Sequence, residues 1–299
     1  MSSSDTSGTS GTCGDEFTAA VLDGAVRERA GTVLSEYGLM RLTRLGGRDD
    51  VLLAAGRLMS SLWKHRDADP DGLTVIRDTG RHAGQVGFAG LGRGALALHT
   101  ECAQHAEPPR LLLLACARAG DTGGETLLVD AQAVLAELAA YHPAAIEALA
   151  ADRAAYFGGS GGHFAPVIQQ LLDGRWRLRL RQDDLARFSP GAEAHLPALR
   201  QAVDRHIRRL RLAPGQGIVL DNHRLLHGRT AFSGERLILR ALGEPHPALG
   251  LGPGFPAQWS LPTTTVHVDP QPAGTSGELL APARWQAVDA RPCRPTVSW

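Results

Sequence analysis

Four short stretches of the chain place a histidine two residues before a carboxylate: His65-Arg66-Asp67, His99-Thr100-Glu101, His105-Ala106-Glu107 and His267-Val268-Asp269. On a strand, residues i and i+2 share a side, so each pair offers two ligands to one ion. Joined by a distant histidine, such a pair completes two imidazoles and one carboxylate on one face of an octahedral metal. Three positions then stay open, which is the ligand set of non-haem Fe(II) oxygenases. At most one of the four pairs is such a site, and context separates them. His65 leads into Asp67-Ala68-Asp69-Pro70-Asp71-Gly72, a turn; His105 stands in a polar stretch before Pro108-Pro109; His267 lies in an irregular C-terminal region. Only His99 ends an apolar strand, at 95–98, and rigid elements hold metal ligands best.

The distant histidine stands in Asp221-Asn222-His223-Arg224-Leu225-Leu226-His227-Gly228-Arg229, after an apolar strand at 217–220. Arg236 and Arg240 flank a later strand, four residues apart, and point to the same side of it. An arginine on a buried face is costly unless it meets an anion. Either a dicarboxylate co-substrate, gripped by the planar guanidinium fork, or a buried Asp or Glu would supply one.

The elements around these residues alternate. Amphipathic helices are expected at 16–37, 49–63, 130–138, 142–149 and 192–211. Strands are expected at 39–45, 73–76, 96–98, 111–116, 126–129, 217–220 and 237–242. Asp173-Gly174 between 165–172 and 176–181 is a hairpin signal. Short, hairpin-like connections disfavour a doubly wound parallel sheet. They favour a mostly β fold, an antiparallel sandwich with helices packed outside. Residues 1–14 have almost nothing to bury and read as a disordered tail. The remainder, 15–299, reads as one domain with an irregular segment from about 246.

The totals bound the function. The 299 residues carry 31 basic and 31 acidic side chains, so no bulk field draws nucleic acid or membrane. No apolar run is long enough to span a bilayer and no signal peptide is evident, which makes the cytoplasm the default location. The four cysteines form no C-x-x-C pair. The cluster Arg205, Arg208, Arg209 and Arg211 reads as a solvated helix face. Gly158-Gly159-Ser160-Gly161-Gly162 lacks the lysine of a phosphate-binding loop, and no G-x-S-x-G marks a serine hydrolase.

Taken together, these motifs resemble the TauD/TfdA family of 2-oxoglutarate oxygenases. The matching pieces are Leu98-His99-Thr100-Glu101, Pro108-Pro109 with the strand after it, Gly123-Gly124-Glu125-Thr126 running into Asp130, and Asp221-Asn222 through His227-Gly228-Arg229 with Arg236 and Arg240. The resemblance implies a double-stranded β-helix (jelly-roll) core with added helices. It implies Fe(II) on His99, Glu101 and His227, and 2-oxoglutarate on Thr126 and Arg236. Arg240 matches a position that holds either the co-substrate or a substrate carboxylate, and both roles stay open. O2 would be the second co-substrate, with succinate and CO2 released. Glutamate at 101 is similar to the clavaminate synthase-like and amino-acid hydroxylase branch. That implies an amino acid or amino-acid-derived substrate, free or carrier- or peptide-bound, in specialised metabolism such as antibiotic biosynthesis.

Rival readings use the same residues. Desaturation, cyclisation, or sulfonate or ether cleavage would run on this scaffold. Halogenation would not, because Glu101 occupies the position a halide needs. A metal-binding jelly roll without activity, or a zinc hydrolase, would leave Arg236 and Thr126 without purpose. Among the other histidines, His163 beside the glycine loop is a candidate for the substrate side. His142 and His206 read as surface or packing residues, and His223 as a supporting one.

Overall fold

The run Leu111-Leu112-Leu113-Leu114-Ala115-Cys116 is apolar at every position, which a strand tolerates only when both its faces are buried. The computed structural model describes residues 16–81, 85–159 and 161–257. In it, this run is the middle of a seven-stranded sheet. In chain order, the strands of the two main sheets are β1 (Glu16–Thr18), β2 (Leu39–Thr43), β3 (Met59–Leu62), β4 (Thr74–Ile76), β5 (Leu96–His99), β6 (Leu111–Arg118), β7 (Thr126–Asp130), β8 (Arg208–Leu210), β9 (Gly217–Asp221), β10 (Leu225–Arg229) and β11 (Leu237–Pro245). The larger sheet runs β1-β2-β9-β6-β11-β3, with β4 also on β11; the smaller runs β8-β7-β10-β5. Every pairing is antiparallel except β1 with β2.

Side-chain alternation divides the core into layers. Leu111, Leu113 and Ala115 join Val219, Leu239 and Ala241 beneath helices α1 (Gly24–Tyr37) and α2 (Arg48–Leu58). Leu112, Leu114 and Cys116 join Ile218, Leu220, Ile238 and Leu242 against Leu128 and Leu225 of the smaller sheet. The outer face of that sheet, with Val129 and Leu226, packs on α3 (Ala131–Tyr141), α4 (Pro143–Ala150) and α5 (Leu196–Arg205). The same period of two turns Thr126, His227, Arg229 and Arg240 into the space between the sheets.

Three expected elements differ. The helix expected from residue 16 starts at Gly24, because Phe17 is taken into β1 beside β2. The helix expected to 63 stops at Leu58, and residues 59–62 become β3 on the edge formed by Gly243 to Pro245. The expected 192–211 helix divides into Pro190–Glu193 and α5, followed by β8, which pairs with Thr126 to Leu128. The four arginines there do not share a helix face: Arg205 ends α5 and binds Glu137, while Arg208 and Arg209 lie on β8. The Asp173-Gly174 turn joins Ile168–Gln170 and Trp176–Leu178 as expected, and Asp130 caps α3 through the Gln132 N–H. The expected tail, Cys13, Cys293, His267 and the C-terminal segment beyond 257 lie outside the described residues. No helix among the described residues is long and apolar enough to cross a membrane.

Candidate metal centre and co-substrate site

His227 on β10 stands directly across from His99 on β5, with their rings 4.3 Å apart. Glu101 follows two residues after His99. One ligand atom from each of the three lies within 4.8 Å of the other two. His99 donates from Nδ1 to the Ala97 carbonyl at 2.9 Å, which leaves the Nε2 lone pair for an ion. Burial, then the neighbouring His227 ring, lowers the His99 pKa to about 4, so the ring is neutral and competent to ligate. His227 Nδ1 is buried with no hydrogen-bond partner. Burial would raise the Glu101 carboxyl, but the Arg240 guanidinium and the two histidines hold it well below the usual range. Two imidazoles and an ionised carboxylate with converging atoms fit a divalent metal.

A cavity of ≈ 490 Å³ opens onto the triad, a volume typical of small-molecule sites. Thr126, Arg236 and Arg240 line it with the three ligands. The two arginines have different surroundings. Arg240 donates to Glu101 Oε2 at 2.9 Å and to Thr74 Oγ1 at 3.4 Å, and its Nε is buried without a partner. Arg236 makes no hydrogen bond or ion pair with any described residue; its guanidinium carbon lies 5.6 Å from the Phe232 ring centroid. Burial lowers its pKa, so the charge is held at a cost. Gly124 is required here. Its φ is +72°, and a Cβ would lie 3.0 Å from Arg236 Cδ. Thr126 is a buried residue on the cavity wall, and its hydroxyl makes no hydrogen bond to described residues.

The residues between the ligands form the scaffold. Asn222 accepts from the Glu101 N–H at 2.7 Å and donates to the carbonyls of Glu101 (3.0 Å) and Pro109 (2.8 Å), so one side chain fixes the ligand's backbone from both sides. Asp221 is buried against Arg110, whose guanidinium also holds the carbonyls of residues 251, 252 and 254. Arg224 grips Asp130 with two nitrogens and reaches the last carbonyls of α1. Arg229 turns inward two residues after His227. It holds the carbonyls of Gly90, Gly92 and Gly94, the first of which lines the cavity, and burial lowers its pKa to about 10.

His163 is not on the cavity wall. Its Nδ1 donates to the Gln104 carbonyl and its Nε2 accepts from Arg179, so both nitrogens serve the loop that follows Glu101. His223 is buried against the Pro108 carbonyl, His206 meets Glu137, and His105 packs edge-on against Trp63. His65 is the reverse case. It lines the cavity and forms a second converging group with Glu101 and Cys102. Its turn-like neighbours in the sequence conceal this. Arg181 and Asp183 also line the cavity without any motif to mark them, as do Arg66 and Asp67 of the His65-Arg66-Asp67 stretch that reads as a turn in sequence. Gly158 and Gly159 of the glycine loop contribute to the wall.

The family model described as taurine catabolism dioxygenase TauD, TfdA family matches residues 5–242. A uridine-5'-phosphate dioxygenase from Streptomyces sp is 28% identical over 197 residues, 60% of this chain and 71% of that protein. Among solved structures, an asparagine oxygenase in complex with Fe(II), 3-hydroxyasparagine and succinate superposes with a TM-score of 0.58 at 20% identity, over 74% of this chain and 79% of its own. The non-haem iron oxygenase OrfP, in complex with Fe, succinate and hydroxyarginine, gives 0.60 at 18% identity, over 76% and 82%. At these identities the two structures share the fold.

Proposed function

The chain belongs to the TauD/TfdA dioxygenase family, and from that premise we propose that it is an Fe(II)- and 2-oxoglutarate-dependent oxygenase with His99, Glu101 and His227 as metal ligands. The observation that carries this reading is Arg236, a partly buried cation with no hydrogen bond or ion pair to the described residues, in the same cavity as the converging triad. A guanidinium drawn partly out of water is costly unless an anion completes it, and the distal carboxylate of 2-oxoglutarate has the right shape. The Thr126 hydroxyl on the cavity wall is a second donor to that carboxylate. A zinc hydrolase or a binding protein has no use for either group. The two facing antiparallel sheets are read as a double-stranded β-helix (jelly-roll) core.

When bound, iron with 2-oxoglutarate and O2 supplies decarboxylation to succinate and CO2 coupled to oxygen insertion into a substrate C–H bond. The chain's own residues bind and orient. Asn222 fixes the Glu101 backbone, the Ala97 carbonyl sets the His99 tautomer, and Arg229 holds the glycine-rich edge of the cavity. Arg240, engaged with Glu101, is assigned to the metal side rather than to the far carboxylate.

The substrate reading is an aliphatic carbon of an amino acid or amino-acid derivative, hydroxylated in specialised metabolism. It rests on glutamate as the carboxylate ligand and on the fold shared with two amino-acid oxygenases. A nucleoside 5'-phosphate is the second reading, favoured by the relative that acts on uridine-5'-phosphate. Anaerobic addition of Fe(II) and 2-oxoglutarate should produce the weak visible charge-transfer band in the wild type and not in Glu101→Ala. An iron-loaded wild type without that band would refute the co-substrate assignment.

A further inference from the structure

In the same cavity two arginine–aspartate pairs approach either side of Gly87, and nothing in the oxygenase reading uses them. The segment 180–182 runs alongside the ligand strand. The Thr100 N–H donates to the Leu180 carbonyl at 2.8 Å, the Leu180 N–H returns to Thr100 Oγ1 at 3.1 Å, and Gln182 Nε2 reaches the Leu98 carbonyl at 2.9 Å. This holds Arg181 beside His99. Arg181 gives Nε and Nη2 to Asp183, which leaves Nη1 without an acceptor among the described residues. From the other side, Arg66 lies flat over the Phe88 ring at 4.1 Å, gives Nη2 to the Gly87 carbonyl at 3.1 Å, and gives Nε to Asp67 Oδ2 at 3.2 Å. Asp67 Oδ1 accepts no hydrogen bond from a described residue. Gly87 sits between the two pairs: a Cβ there would lie 4.0 Å from Arg181 Nη2 and 3.2 Å from Leu185 Cδ1, and its φ is +83°.

Ion pairs between chain neighbours are ordinarily solvated surface features of little consequence. These line a cavity, and the side chains of Arg181 and Asp67 are only 18% and 27% exposed. Each keeps one uncommitted polar atom, a donor on Arg181 and an acceptor on Asp67. A half-buried site that offers both signs complements a ligand that carries both.

We propose that Arg181 and Asp67 read the carboxylate and the ammonium of a free, zwitterionic amino acid. This rests on the oxygenase reading and sharpens it. A carrier-tethered or peptide-bound residue lacks the free carboxylate, and a nucleoside 5'-phosphate lacks the ammonium and brings a dianion towards Asp67 and Asp183. Arg66 covers one face of the Phe88 ring, so that face is closed to a nucleobase.

The test uses the full chain loaded with Fe(II) and 2-oxoglutarate under argon. The probes are the common L-amino acids, their N-acetyl and C-terminal amide forms, and uridine-5'-phosphate. Binding is read by calorimetry and by perturbation of the visible band. At least one free amino acid should bind, and both of its blocked forms should bind about tenfold or more weakly, the loss expected for one charge-assisted hydrogen bond. Asp67→Asn should weaken the free acid by a similar factor while changing the N-acetyl form little; Arg181→Gln should do the same with the amide form. Blocked forms or uridine-5'-phosphate binding as tightly as the free acid, no free acid binding, or variants without effect would each overturn the proposal. Absence of the 2-oxoglutarate band from the wild type is a separate outcome that overturns the oxygenase reading itself.

Discussion

Arg240 donates to Glu101 Oε2 at 2.9 Å across the space between the two sheets, so the carboxylate of the triad is already paired with a cation before any ion arrives. Glu101 and Arg240 are each 11% exposed at the side chain, and removing one partner of such a pair strands a buried charge. Arg240→Leu should therefore destabilise the iron-free protein by about 3 kcal/mol. Bound Fe(II) would neutralise Glu101 in place of Arg240, and the loss should shrink markedly in the loaded protein. Thermal unfolding with and without Fe(II) measures both. Equal losses in the two states would show that ion and guanidinium do not share the carboxylate.

Arg236 is expected to show the opposite balance between stability and activity. As a partly buried cation without an ion pair to the described residues it costs the ligand-free fold, so Arg236→Leu should raise the melting temperature without co-substrate. The same change should raise the KM for 2-oxoglutarate about a hundredfold, the worth of a paired charge-assisted contact. Thr126→Val, which removes only a hydroxyl, should raise it about fivefold. A lowered melting temperature in Arg236→Leu would mark a structural arginine and weaken the co-substrate assignment.

Asn222 carries the ligand's backbone. Asn222→Asp keeps the shape and the acceptor for the Glu101 N–H but loses both donors to the carbonyls of Glu101 and Pro109. Two buried carbonyls without partners should cost about 2–4 kcal/mol in stability. Weaker positioning of Glu101 should lower iron affinity by about tenfold or more. Denaturant unfolding and competition with a calibrated chelator give the two values. Unchanged affinity alongside lost stability would confine Asn222 to folding.

The parts of the site that the sequence reveals are those dictated locally. His99 and Glu101 are recognisable because an apolar strand precedes them, and Arg236 and Arg240 because their spacing of four on a strand turns both to one side. The expected 16–37, 49–63 and 192–211 helices fail at one end each for a single reason: β1, β3 and β8 are short, and the partner strand decides their conformation. Propensity carries no information about a partner strand elsewhere in the chain. The same holds for charge. Arg66-Asp67 and Arg181 with Asp183 look solvated in sequence because both members of each pair are local. Only the folding of 180–182 against 98–100 brings Arg181 to the cavity that Arg66 and Asp67 also line. His163 is misplaced for a related reason: proximity to a flexible glycine loop says nothing about Arg179, which claims its ring from another strand end.

His223 gives a pH dependence independent of the metal ligands. Burial, with Arg177 and Arg110 nearby, outweighs Asp221 and the Pro108 carbonyl and lowers its pKa from 6.5 to about 4. The folded ring therefore stays neutral where the unfolded chain is already protonated. Below pH 6.5 the unfolded state binds more protons, so stability falls as the pH drops from 6.5 towards 4 and levels off below that. The full shift corresponds to about 3 kcal/mol. His223→Gln keeps an N–H donor for the Pro108 carbonyl but does not titrate. Its stability near pH 8 should lie within about 1 kcal/mol of the wild type. Between pH 6.5 and 4 the wild type should lose more stability than the variant, while the His99 contribution is common to both. Urea unfolding of the iron-free proteins at several pH values across that window compares them directly. Parallel curves would mean that His223 takes up its proton in the folded state as readily as in the unfolded chain, and that its buried, neutral role is wrong.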